Sequence, residues 1–246
     1  MAAAIEMKNV SFSAQKIQIV KDFSHPFREG KATALVGPSG SGKSTVLKLS
    51  AGILVPNQGE VCYRDKDIFS MNRQENLEFR RDSAMVFQDS ALWANQSLRQ
   101  NLELPLRIHY PEMSSRDMDV RIREVLGLVG YRRDLSIRPS QLSMGEQKLM
   151  AFARALMCRP KLLFLDELTE SLDETASRRL LRLVQRHKDE ENTVIFVCHD
   201  FRIIKNIADY IVMINAGEFE LEVSREQMEQ DPELALRIEQ GMEMDE

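Results

Sequence analysis

Residues 37–45 read GPSGSGKST, that is Gly37, Pro38, Ser39, Gly40, Ser41, Gly42, Lys43, Ser44 and Thr45. An apolar run, Ala32 to Val36, precedes them, and a helix-forming stretch, Ser44 to Ala51, follows. Strand, glycine-rich turn and helix in that order make a phosphate-binding loop. The glycines let backbone N–H groups turn toward phosphate oxygens. The helix presents its positive end to the same anion. Lys43 then reaches the β- and γ-phosphates of a nucleotide, the Ser44 hydroxyl can ligate Mg2+, and Thr45 adds a further phosphate contact. At average residue frequencies the four fixed positions arise by chance in on the order of one per cent of chains this long. The loop alone does not separate a kinase, a GTPase and an ATPase.

Outward from the loop, Ala84 to Phe87, Leu162 to Leu165 and Thr193 to Val197 are also continuously apolar. Such runs predict strands of a parallel sheet covered on both faces. Helical stretches lie between them at Arg116 to Val129, Gly145 to Cys158 and Ala176 to His187. The fold class that follows is α/β with right-handed crossovers. Ile5 to Phe12, Ile17 to Phe23 and Gly59 to Tyr63 alternate instead, which predicts a small antiparallel sheet near the N-terminus. Residues 90–158 are mostly helical between two strand signals and predict an inserted helical lobe. The expected organisation is a nucleotide-binding unit over residues 1–223 and an acidic extension over 224–246. That extension carries Leu234, Leu236, Ile238 and Met242, and a frayed surface helix is expected there.

Composition narrows the partners. The chain has 246 residues, 43% of them hydrophobic, enough for a large core, and its net charge of -5 leaves no broad basic field for nucleic acid. Cys62, Cys158 and Cys198 form no CxxC pair, so buried free thiols in a reducing compartment are expected. No signal peptide is expected in Met1 to Lys8, and no apolar run is long enough to span a bilayer. Service to a membrane would go through a partner.

Residues 162–167 read LLFLDE. Four apolar residues deliver Asp166 and Glu167 to the end of a buried strand, where ligands bind in open α/β sheets. A lone acidic pair is commonly a helix cap, but a phosphate loop demands such a strand. Asp166 is placed to hold Mg2+, and Glu167 to orient or deprotonate an attacking water. His199 and Gln88 also follow apolar strands. The histidine could sense a γ-phosphate, and Gln88 could reach the metal or the water.

Taken in order, these residues resemble the ABC ATPase family. LSMGEQ, Leu142 to Gln147, is similar to the family's LSGGQ signature. Ser171, Leu172 and Asp173 match its D-loop, Gln88 its Q-loop and His199 its switch histidine. The resemblance runs from about Ile5 to Phe219. It implies a RecA-like P-loop NTPase core, ATP and Mg2+ as cofactors, and a dimer clamping two ATP molecules, a homodimer in preference to a heterodimer. Ser143 and Gly145 would contact the γ-phosphate held by the other subunit, and Asp173 joins the nucleotide-binding set. The segment Asp89 to Leu104 resembles the part that grips a transmembrane permease subunit, so its Leu92, Trp93, Leu98 and Leu102 are either core or partner-facing. That would hold the chain peripherally on the cytoplasmic face of the cell membrane. Phe87 to Arg107 is similar to the ATPases of MCE-type phospholipid transporters, which often carry ALF where this chain has Ala91, Leu92 and Trp93. A soluble ABC protein that moves no solute, such as a cluster-assembly scaffold, is the alternative.

Three departures stand out. Met144 replaces the first signature glycine. Lys148 and Leu149 replace the usual glutamine and arginine after the signature. The aromatic that stacks on adenine falls at Ala14, where there is none, and Phe12 is nearby. Stacking is worth about 1–3 kcal/mol, so weak nucleotide affinity is expected.

Overall fold

Strand β3 (Ala32–Val36), buried at every residue, lies between β8 (Thr193–Val197) and β9 (Tyr210–Asn215) and runs parallel to both. The computed structural model describes residues 2–170 and 172–243. Ser171 of the D-loop match lies outside the described residues, as do Met1 and residues 244–246 of the extension. Strand β7 (Leu162–Asp166) pairs in parallel with β8, and β6 (Ser83–Val86) with β7. An antiparallel edge strand, β10 (Glu218–Ser224), completes the order β10-β9-β3-β8-β7-β6. Alternate residues of one strand enter different cores. Val194 and Phe196 of β8 face the helical side, whereas Ile195 and Val197 face the second sheet. Burial on both faces is why these strands read as unbroken apolar runs.

The second sheet is antiparallel, in the order β2-β1-β4-β5. Its strands are β1 (Ala3–Ala14), β2 (Ile17–Arg28), β4 (Gln58–Tyr63) and β5 (Lys66–Asp67). Gln15 and Lys16, both with positive φ (50° and 68°), close a tight β1–β2 hairpin. Helix α1 (Lys43–Ser50) packs in the same core as this sheet, its Val46, Leu47 and Leu49 among Phe23, Phe27 and Phe164.

The helical side holds α3 (Leu98–His109), α4 (Ser115–Val129) and α5 (Met144–Leu156), whereas α2 (Arg73–Asp82) buries its Phe79 in the core shared with the antiparallel sheet. Helices α6 (Glu174–Asp189) and α7 (Phe201–Ile207) flank β8. Leu98 and Leu102 are fully buried core residues, and Leu92 packs against that core. Trp93 is the exposed one of the four, at 46%. The cysteines are free thiols, with Cys62 and Cys198 buried and Cys158 partly so.

The extension is not a frayed surface helix. Ser224 caps α8 (Arg225–Gln230), and α9 (Pro232–Glu243) follows. Ala235, Ile238 and Met242, spaced to share one helical face, are buried in the main core, while Leu236 points outward. The helix rests on β9 so closely that a Cβ on Gly241 would lie 2.2 Å from Met213 Cε.

Candidate nucleotide site

The strands β3, β7 and β8 end at one cleft of about 770 Å³. Its floor is the loop leaving β3. Gly37 must be glycine, because a Cβ there would lie 2.1 Å from the Ile214 carbonyl oxygen. Gly42 enters α1 with φ 98°, and a Cβ on it would meet the Ile19 carbonyl at 3.0 Å. These constraints turn the backbone of residues 39–45 toward the cleft, with Ser39, Gly40, Gly42, Lys43, Ser44 and Thr45 on its wall. Lys43 Nζ donates to the carbonyls of Gly37 (2.8 Å) and Pro38 (2.7 Å). The Ser41 hydroxyl is buried with no hydrogen-bond partner among the described residues.

Ser44 Oγ donates to Asp166 Oδ1 at 2.8 Å, and Lys48 Nζ lies 3.7 Å from Asp166 Oδ2. A hydroxyl and a carboxylate side by side are hard oxygen donors of the kind Mg2+ takes. Glu167, one residue past the end of β7, has φ 50°, and its N–H donates to the Val197 carbonyl at 3.2 Å. Burial raises its affinity for a proton; His199 opposes that, and Asp166 and Glu170 add to it. His199 Nε2 is 3.1 Å from Glu167 Oε1, at ion-pair distance but out of line for a hydrogen bond. Gln88 Nε2 donates to Glu170 Oε2 at 2.9 Å.

The phosphate loop, Gln88, Asp166, Glu167 and His199 therefore meet in one place. Ser143, Gly145 and Asp173 do not line the cleft. Ser143 caps α5 in a capping box with Glu146, and Asp173 caps α6, both exposed. Neither Ala14 nor Phe12 reaches the cleft; Ala14 is exposed at the hairpin, and Phe12 packs against the core between the sheets. The apolar lining is Ile19, with Val197 and Cys198 at the end of β8. Sequence reasoning also missed Thr169 and Glu170, which line the cleft shortly after the LLFLDE strand, and Lys48, one turn beyond Ser44.

The family model described as ABC transporter matches residues 20–170. The chain belongs to the ABC transporter family. It is an ATP-binding cassette of the ATPase kind. It is 35% identical to the intermembrane phospholipid transport system ATP-binding protein MlaF of Haemophilus influenzae, over 94% of this chain and 87% of that protein. It is 32% identical to the methionine import ATP-binding protein MetN of Clostridium tetani, over 86% of this chain. The chain spans 66% of that relative's length. Among solved structures, the dimeric ATP-binding cassette MJ0796 bound to ADP and Pi superposes with a TM-score of 0.82 at 29% identity. That match covers 90% of this cassette and 98% of MJ0796. Among the described residues, no helix is long and apolar enough to cross a membrane.

Proposed function

We propose that the chain is the ATP-hydrolysing subunit of a membrane transporter, working as a dimer on a separate permease at the cytoplasmic face. The observation that carries this reading is the convergence of the phosphate loop, Asp166, Glu167, Gln88 and His199 on one cleft. The N–H groups of residues 39–45 and the start of α1 bind the triphosphate. Lys43 exchanges its loop carbonyls for phosphate oxygens. Ser44, Asp166 and Gln88 would hold Mg2+, which supplies charge neutralisation to the phosphates. Glu167, made more basic by burial, orients and deprotonates the attacking water, and His199 holds the carboxylate and reads the γ-phosphate.

Ser143, Gly145 and Asp173 serve a second copy. Signature and phosphate loop sit on one chain, so two identical chains complete two sites, which favours a homodimer. The exposed Met144 lies where the copies approach. The permease seats in a groove of about 430 Å³ lined by Trp93, Pro105, Ile108 and Arg154, next to the loop that follows Gln88. Phospholipid is the proposed cargo. It is supported by the span of 87% on the phospholipid-system relative against 66% on the methionine importer.

Tagging the chain in its native host, solubilising membranes gently and identifying what copurifies tests this. A polytopic membrane protein together with an MCE-domain protein is expected. A polytopic partner without the MCE protein removes the phospholipid reading. Recovery from the soluble fraction alone favours the scaffold alternative.

A further inference from the structure

Lys148, where the signature helix departs from its family's usual glutamine, is a lysine with only 3% of its surface exposed. Lysines are almost never buried so fully unless paired. This one is paired with two backbone carbonyls. Its Nζ donates to the Gln88 oxygen at 2.6 Å and to the Glu167 oxygen at 3.1 Å. Gln88 lies two residues past the end of β6, at the entry to the helical lobe, and Glu167 is the proposed base. Desolvation weakens the ammonium's hold on its proton, and the nearby Glu170, Asp166, Glu167 and Asp89 oppose that loss.

Glu167 needs such a clamp. A non-glycine residue at φ 50° stores on the order of 1–3 kcal/mol and persists where its surroundings over-determine it. Here the Val197 carbonyl fixes its N–H and Lys148 fixes its C=O. The loop that begins at Gln88 is held alike further along. Ser90 and Ala91 also have positive φ, and Arg154 of α5 donates to their carbonyls at 3.3 Å and 2.7 Å. Its guanidinium lies over the Trp93 ring at 4.9 Å. Two cations of one helix thus hold residues 88–91 and Glu167 together.

We propose that Lys148 is a positioning residue for hydrolysis, its ammonium tying the Gln88 carbonyl to that of Glu167, so that α5 sets the backbone of the catalytic carboxylate. This rests on the reading of Glu167 as the base. A lysine that only stabilised the fold would, when lost, lower the melting temperature and leave turnover in the folded fraction intact.

The test is steady-state hydrolysis, ATP binding and thermal melting of the purified chain carrying Lys148→Met, with Lys148→Arg and Glu167→Gln alongside. Lys148→Met is expected to lower kcat about tenfold or more, because small misplacements of catalytic groups cost that much. Its ATP affinity should stay within about threefold, since the phosphate loop is untouched. Lys148→Arg, whose fork can span both carbonyls, should restore most of kcat. The proposal is overturned by a Lys148→Met kcat within about twofold of the parent, or by kcat and affinity falling together without rescue by arginine. Should Lys148→Met fail to fold, Lys148→Ala, which removes the donor and leaves room for water at the two carbonyls, is judged by the same criteria. Glu167→Gln separates the two readings. Undiminished turnover there defeats the base assignment, whereas an inactive Glu167→Gln beside a fully active Lys148→Met defeats the Lys148 proposal alone.

Discussion

His199 Nε2 lies 3.1 Å from Glu167 Oε1, against a carboxylate that burial already pushes toward its protonated form. The contact places a potential positive charge where the proposed base must stay ionised. Glu167→Gln removes the proposed base and should lower single-turnover hydrolysis by about 10²–10⁴-fold. An ATP-bound dimer should accumulate, visible by size-exclusion chromatography with ATP. Unchanged hydrolysis would remove Glu167 from the mechanism.

The same substitution should raise the melting temperature at neutral pH. A carboxyl whose folded pKa lies above its unfolded value contributes stability at pH below the unfolded value. That contribution is lost as pH rises through the folded value. At neutral pH the parent holds a desolvated charge that glutamine does not. Melts of both proteins at neutral and acidic pH should show a gain for Glu167→Gln that shrinks on acidification. A gain independent of pH would mean that Glu167 has the same pKa folded and unfolded, so that burial does not raise it.

Activity should rise with pH through the raised pKa of Glu167, because the ionised form is the base. Burial is the largest cause of that elevation, and His199 works against it. His199→Ala should therefore move the acid limb of the kcat/KM profile to higher pH as well as lower its plateau. A limb that stays in place would show that the histidine exerts no field on the carboxylate.

No Phe, Tyr or Trp lines the cleft among the described residues, and its apolar lining is Ile19, Val197 and Cys198. The isolated cassette should bind ATP more weakly than a micromolar dissociation constant. Ala14→Tyr, at the exposed end of β1, should tighten binding about tenfold, since a stacked base is worth about 1–3 kcal/mol and 1.4 kcal/mol is tenfold. Equilibrium titration with a fluorescent ATP analogue measures both. A sub-micromolar parent constant would mean that the base is held by other means.

Much of this was legible in the sequence, for local reasons. Thr193 to Val197 and Ala32 to Val36 read as strands because both faces of each are buried, so a threonine in each, Thr193 and Thr33, is the one polar residue they carry. The phosphate loop declares itself because glycines, lysine and serine must stand at fixed offsets. Lys148 was illegible, since its partners are backbone carbonyls, one of them 60 residues away, and a carbonyl leaves no mark in a sequence. The proposed second half of an ATP clamp was legible only as a resemblance. Ser143 and Asp173 cap helices within one chain, and nothing local distinguishes a cap from a phosphate contact.

The C-terminal helix was misjudged for a related reason, and its docking gives the last prediction. Leu234, Leu236, Ile238 and Met242 sit among acidic residues, so the segment reads as a polar surface helix. The receiving surface, Met213 on β9, is distant in sequence and turns the 235, 238, 242 face inward. Ile238 is 1% exposed, whereas Leu236 is 53% exposed. Ile238→Ala should cost roughly 2–5 kcal/mol, as large-to-small changes in a packed core do. For a domain of this size each kcal/mol lowers the midpoint by about 2–4 °C. Leu236→Ala should stay within about 0.5 kcal/mol of the parent. Thermal melts of the two variants decide it. Equal, small effects would show that α9 is not part of the core in solution, and the extension would then be free to act as an arm for a partner.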